Sequence, residues 1–210
     1  MDLSDEALIN KFRATREARY FQALVDRYQN RLFNAAFRIL SNSQESEEVV
    51  QETFIRVLQN LEKLKNQASF AAWIFKVTHN LCIDVIRAKQ RRGKLPAMIF
   101  DPQSTQDQDD QTQVNFGVVS QIADSEPGPA ERIDVAEQQE VIAASLGQLP
   151  EPQRAVIVLH DIEGFSYEEV AEIVGANVGT VRSRLHYGRQ KLREILSPYY
   201  ESSAIATYPR

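Results

Sequence analysis

A chain of 210 residues, 43% hydrophobic and 25% charged, has room for one medium or two small globular domains and is too apolar to be wholly disordered. No apolar run approaches the roughly eighteen residues of a membrane-spanning helix, and the acidic start Met1-Asp-Leu-Ser-Asp-Glu6 lacks the basic-then-apolar order of a secretory signal. The net charge of −5 excludes a uniformly basic protein, although local clusters decide what a chain can bind.

The first zone, residues 1–95, is helical by period. Phe21, Leu24, Tyr28, Leu32, Ala35 and Ile39 recur at threes and fours and form one stripe of a long helix. Ser43 offers the N-cap of a second helix, marked by Val50, Phe54, Val57 and Leu61. Phe70, Ile74, Val77, Leu81 and Val85 mark a third. The middle zone, 96–134, loses this period. It holds eight acids and one base, Arg132, and so carries −7, leaving +2 on the rest of the chain. Its polarity and Pro/Gly punctuation predict a disordered linker.

Helical period returns in residues 135–197, with Pro150 and Pro152 at a helix start, where proline is tolerated. Residues 198–210 read as a frayed tail. Ser166-Tyr-Glu-Glu169 has the Ser-then-Glu spacing of a capping box, and Val170, Ala171, Ile173 and Val174 supply a buried face. A short turn, Gly175-Ala-Asn-Val178, leads into a helix carrying Arg182, Arg184, Arg189, Lys191 and Arg193, with Val181, Leu185 and Leu192 inward. Capped helix, glycine turn and one-sided basic helix predict a helix-turn-helix. The N-terminal half of the second helix of such a motif enters the major groove. Thr180, Arg182, Ser183 and His186 are therefore the candidates for base edges, and Arg184 and Arg189 for phosphates.

A second basic cluster spans Arg87, Lys89, Arg91, Arg92 and Lys94. Asn80, Asp84, Arg87 and Arg91 share a helix face, with Lys76 and His79 beside it. Lys65, Asn66 and Phe70 lie just upstream, and aromatics beside basic groups suit unstacked bases. Trp73 reads as core. Glu45, Glu47, Glu48, Gln51 and Glu52 crowd the polar side of the second helix, which reads as a docking face for a basic or polar partner. No matching histidine or second acidic motif accompanies them, and His79 and Cys82 offer too few ligands for structural zinc. No catalytic residue, metal or cofactor is expected, and the chain does not read as an enzyme. The single Cys82 fits a reducing cytoplasm.

Together these segments resemble the sigma-70 family of bacterial RNA polymerase sigma factors, in its extracytoplasmic-function subgroup. Glu47-Glu-Val-Val-Gln-Glu-Thr-Phe54 resembles the segment that grips the polymerase clamp coiled coil, which points to Glu47, Glu48, Gln51 and Glu52. Phe70 to Arg87 resembles the segment that melts and reads the −10 element. Leu149-Pro-Glu-Pro-Gln-Arg154 through Leu192 resembles the domain that reads the −35 element. His79 stands where the family commonly has a basic residue, and Glu48 where it often has Asp. The resemblance implies an all-α chain of two small domains, an N-terminal helical bundle and a C-terminal helix-turn-helix, joined by the long acidic linker. It implies polymerase core (clamp coiled coil and flap) and promoter DNA as partners, an anti-sigma factor as a further possible one, and a linker that occupies the RNA path during initiation. The function implied is an alternative, cytoplasmic sigma factor of a stress response. The rival reading is a helix-turn-helix regulator that binds DNA without polymerase.

Overall fold

The structure is a computed structural model that describes residues 3–62, 70–93 and 141–206, all-α among those residues. Lys65, Asn66 and the linker 96–134 lie outside them. Helix α1 (Asp5–Thr15) is capped by Ser4, whose hydroxyl accepts from the Ala7 amide at 3.3 Å. Helix α2 (Ala18–Leu40) buries Leu24, Tyr28, Leu32, Ala35 and Ile39, the stripe expected from the period, with Phe21 packed at its edge. Asp5 of α1 accepts from Tyr28 and Arg27, fastening the first helix to the second.

Helix α3 (Ser43–Asn60) starts one residue earlier than the sequence suggested. Asn42, not Ser43, is the N-cap, its side-chain oxygen accepting from the Glu45 amide at 2.9 Å. The buried face also turns by one position, to Ser46, Val49, Thr53 and Val57. Hydroxyls make this possible. Ser46 donates to the Asn42 carbonyl at 2.6 Å and Thr53 to that of Val49 at 2.8 Å. Thr53 also meets Thr78 of α4 (Phe70–Arg91) at 3.2 Å. A buried hydroxyl whose proton is taken by a backbone carbonyl costs little, so polar residues share the core face and Val50 and Phe54 move to its rim.

The C-terminal half begins with α5, described over residues 141–147, and α6 (Glu151–Ile157), with Pro150 at its cap. The chain then widens into a π-helical turn, Val158–Ile162, closed by the Glu163 amide on the Val158 carbonyl at 3.0 Å. Helices α7 (Tyr167–Val174) and α8 (Val178–Ala206) complete it. The backbone of 198–206 continues α8 through Pro198, beyond the helical pattern of the sequence.

The halves pack against each other. Phe75 of α4 meets Phe165 edge-on, with centroids 4.9 Å apart. Arg154 donates to the carbonyl of Ile39 at 2.5 Å and to those of Gly147 and Leu149 at 2.9 Å, so one guanidinium closes the C-terminus of α2 onto the start of α6. Helix α7 lies along α4.

Phe70 is a core residue, 2% exposed, its ring edge-on to Tyr28 at 5.4 Å and beside Trp73. Phe70→Ala is expected to lower the unfolding free energy by about 3–5 kcal/mol. Urea denaturation followed by circular dichroism measures this, and a loss below about 1 kcal/mol would show that the ring is not a core element.

Candidate nucleic-acid interface

The helix-turn-helix is set by local chemistry. Ser166 Oγ accepts from the Glu169 amide at 3.2 Å, and the Glu169 carboxylate accepts from the Ser166 amide at 2.9 Å, the reciprocal cap read from the sequence. Gly175 takes φ +65° and ends α7, a conformation that disfavours any side chain. Asn177 then accepts from the Thr180 amide at 2.7 Å and starts α8. Val181, Leu185 and Leu192 are buried, and Ala171 lets the two helices approach.

The candidate base-reading residues fall on or beside the outward face. Arg182 and His186 are exposed. The Arg182 guanidinium lies 5.7 Å from the ring centre of Tyr167, and His186 lies edge-on to Tyr187. Thr180 is half-buried, and Ser183 returns its hydroxyl to the Gly179 carbonyl at 2.9 Å. The two arginines expected at phosphates are engaged within the protein. Arg189 forks onto Asp161, Nε to Oδ2 at 3.0 Å with a second, shorter bond, and this pairing raises its pKa. Arg184 is half-buried beside Glu151, its pKa lowered by burial.

On α4, Asn80, Asp84, Arg87 and Arg91 form one exposed stripe, as their spacing required. Lys76 is half-buried, 3.8 Å from Glu172 of α7. Phe70 does not reach this surface. His79 is buried at 6% exposure with no hydrogen-bond partner at Nδ1, and burial, with Arg184 nearby, lowers its pKa to about 4. Cys82 is fully buried, its thiol pushed up to about 12, chiefly by burial. A cavity of about 220 Å³ lies where His79, Ile83 and Arg87 of α4 face Glu151 and Arg184. The Glu151 carboxyl there has its pKa raised by burial, against the pull of Arg184, Arg154 and Arg87.

On α3, Glu47, Glu48 and Gln51 are exposed, and Glu52 pairs with Arg56 at 2.9 Å. The same stripe continues through Ile55 and Leu58, 50% and 48% exposed, which the sequence reading missed. Their signal was present. They follow Gln51 at four and seven residues, but the phase inferred for α3 was one position off.

A capped helix-turn-helix packed beside a second helical module defines an all-α protein of the helix-turn-helix class. Residues 24–92 match the model of Sigma-70 region 2 and residues 139–192 that of Sigma-70 region 4. The chain is 33% identical over 86% of its length to the ECF RNA polymerase sigma factor SigE of Mycolicibacterium smegmatis, of which it spans 63%. It is 31% identical over 84% of its length to the ECF RNA polymerase sigma factor SigW of Bacillus subtilis, covering 88% of that protein. It resembles the solved structure of CnrH in complex with the cytosolic domain of CnrY, with a TM-score of 0.62 and 25% identity over 92% of this chain and 97% of that one. The chain belongs to the sigma-70 family, in its extracytoplasmic-function group.

The internal pairings divide the arginines of α8. Arg189→Ala is expected to cost about 1–3 kcal/mol of stability, because it strips charged donors from the buried Asp161. Arg182→Ala should leave stability within about 0.5 kcal/mol and relax sequence preference at one or two positions of the −35 element by about 1–3 kcal/mol. Thermal unfolding and a promoter-library binding profile read the two effects, and equal destabilisation by both would contradict the division.

Proposed function

We propose that this chain is an alternative sigma factor that binds RNA polymerase core enzyme and directs initiation at a restricted set of promoters in a stress response. It acts without catalysis of its own, in the cytoplasm. The observation that carries the reading is the ordered pair of region 2 and region 4 matches in one chain.

Each module has a physical role in this reading. The α3 stripe, with Glu47, Glu48, Gln51 and Glu52 leading into Ile55 and Leu58, docks on the clamp coiled coil of the polymerase. An acidic patch running into an apolar one supplies both charge complementarity and a desolvated centre. The α4 stripe of Asn80, Asp84, Arg87 and Arg91, with Lys76 and with Lys65 and Asn66 upstream, handles the −10 element as its strands separate. The first turns of α8, through Thr180, Arg182, Ser183 and His186, read the −35 element. Region 4 meets the polymerase flap, and an anti-sigma factor is a further partner. No helix among the described residues is long and apolar enough to cross a membrane.

The rival regulator would bind duplex DNA unaided and leave the α3 stripe without a partner. Two modest basic stripes on a chain of net charge −5 neutralise few phosphates, which favours dependence on polymerase. Glu48→Lys with Glu52→Lys is expected to abolish co-purification with core enzyme and promoter-directed run-off transcription, while circular dichroism and melting temperature stay near those of the unmodified chain. Unchanged co-purification would contradict the docking assignment, and nanomolar promoter binding without core enzyme would favour the rival.

A further inference from the structure

Arg182, the exposed arginine in the first turns of α8, rests against a built aromatic support. Its guanidinium lies 5.7 Å from the ring centre of Tyr167, the first residue of α7. The same ring stacks on His160, with centroids 4.5 Å apart and planes 21° apart. The Tyr167 hydroxyl accepts a hydrogen bond from Arg189, whose guanidinium is forked onto Asp161. His160 Nδ1 in turn donates to the Phe165 carbonyl at 2.7 Å. Local devices bring these groups together. The Ser166–Glu169 cap sets the first turn of α7, and with it Tyr167. The π-helical turn adds a residue to its helix and so re-aims the positions at its end. His160 and Asp161 leave that turn for Tyr167 of α7 and Arg189 of α8. Tyr167 is half-buried and packed against the core, which limits the freedom of its ring.

We propose that Tyr167 is a positioning residue for −35 reading: its ring, seated on His160 and tied through its hydroxyl to the Asp161–Arg189 fork, holds the Arg182 guanidinium in place before DNA arrives and thereby sets the base preference of that arginine. The inference rests on the sigma-factor reading. It adds to that reading a residue outside the recognition helix that governs specificity. The physical reason is preorganisation. A long exposed arginine samples many rotamers, and restricting them on binding costs affinity. A guanidinium held against an aromatic face has given up part of that freedom in the free protein. It also meets a base edge from one direction. A planar fork so held matches O6 and N7 of guanine and mismatches the other bases, whereas an unrestrained one also reaches phosphates, which carry no sequence information. Arg184 and Arg189 are engaged within the protein, so the setting of Arg182 decides what the arginines of these turns read.

Two substitutions at one position separate the ring from the hydroxyl. Tyr167→Phe keeps the ring, and Tyr167→Leu removes it while leaving an apolar side chain. Each full-length variant is assembled with core enzyme and profiled on a promoter library randomised across the −35 element. Tyr167→Leu should lower base preference about two- to fivefold, the worth of an exposed cation–π contact, at the positions that Arg182→Ala relaxes. It should add nothing further in the Arg182→Ala background, and Tyr167→Phe should keep the preference profile. NMR of the free chain gives a reading independent of DNA. The Arg182 side-chain protons should be shifted upfield by the ring in the unmodified chain and in Tyr167→Phe, and not in Tyr167→Leu. A Tyr167→Leu profile parallel to that of the unmodified chain, or a loss of the same size in the Arg182→Ala background, would overturn the positioning role. Equal and uniform weakening by both substitutions would overturn it in favour of a hydroxyl contact to phosphate. Absence of the upfield shift in the unmodified chain would overturn it whatever the variants do to folding. An unmodified chain without promoter-directed transcription would overturn the sigma-factor reading, and the positioning role with it.

Discussion

Helix α4 must satisfy two environments at once. One side supplies Phe70, Ile74, Leu81 and Cys82 to the core, with Thr78 meeting Thr53 of α3. The opposite stripe, Asn80 to Arg91, is exposed and polar. Between them runs a flank of Phe75, Lys76, His79 and Ile83 that a helix in water would leave partly wet, and here the C-terminal half covers it. Because α4 is buried on one side and covered on this flank, α7, α6 and the π-helical turn are all placed by what they must cover. His79 records the consequence. An imidazole with an unpartnered nitrogen, held neutral by burial, tolerates that position only while the neighbouring half stays in place.

Much of this was legible in the sequence where the signal was local and one-sided. The α2 stripe combines large apolar residues with a consistent period, and its face came out as read. The Ser166–Glu169 cap, the Gly175 turn and the Asn80-to-Arg91 stripe depend on spacings of a few residues, and spacing survives folding. Where polar side chains entered the core, the reading slipped. Ser46, Thr53 and Thr78 return their hydroxyls to carbonyls one turn back and are buried, so the apparent phase of α3 shifted, Val50 and Phe54 replaced Val49 and Thr53, and Ile55 and Leu58 were overlooked. Phe70 looked available to a base because basic residues surround it in sequence, whereas Tyr28, 42 positions away, claims its ring. The tail read from residue 198 onward continues the helical backbone of α8 through Pro198 to Ala206.

The contacts between the halves were invisible for a different reason. Arg154 and Ile39 are 115 residues apart, and Arg31 and Glu163 are 132 apart. No periodicity or motif encodes pairings at that range. They also change what the arginines of the basic helix do. Of five bases in the stretch from Arg182 to Arg193, Arg189 is committed to Asp161 and Arg184 to the neighbourhood of Glu151, which leaves Arg182 as the arginine best placed in the first turns to meet a base edge. One-sided charge along a helix therefore mixes residues that build the domain with residues that can meet DNA, and only tertiary partners separate them.

Closure of the two halves in the free chain is the central claim, and an intramolecular distance tests it most directly. Spin labels at Glu6→Cys on α1 and Gln190→Cys on α8 occupy exposed positions outside the assigned contact surfaces, and the buried Cys82 is spared by the label. Pulsed electron resonance on the free chain should give one narrow distribution at the distance of the closed structure. Assembly with core enzyme and promoter should move it outward by tens of ångströms, on the scale of a DNA turn of about 35 Å. A broad distribution in the free chain, unchanged on assembly, would contradict the account.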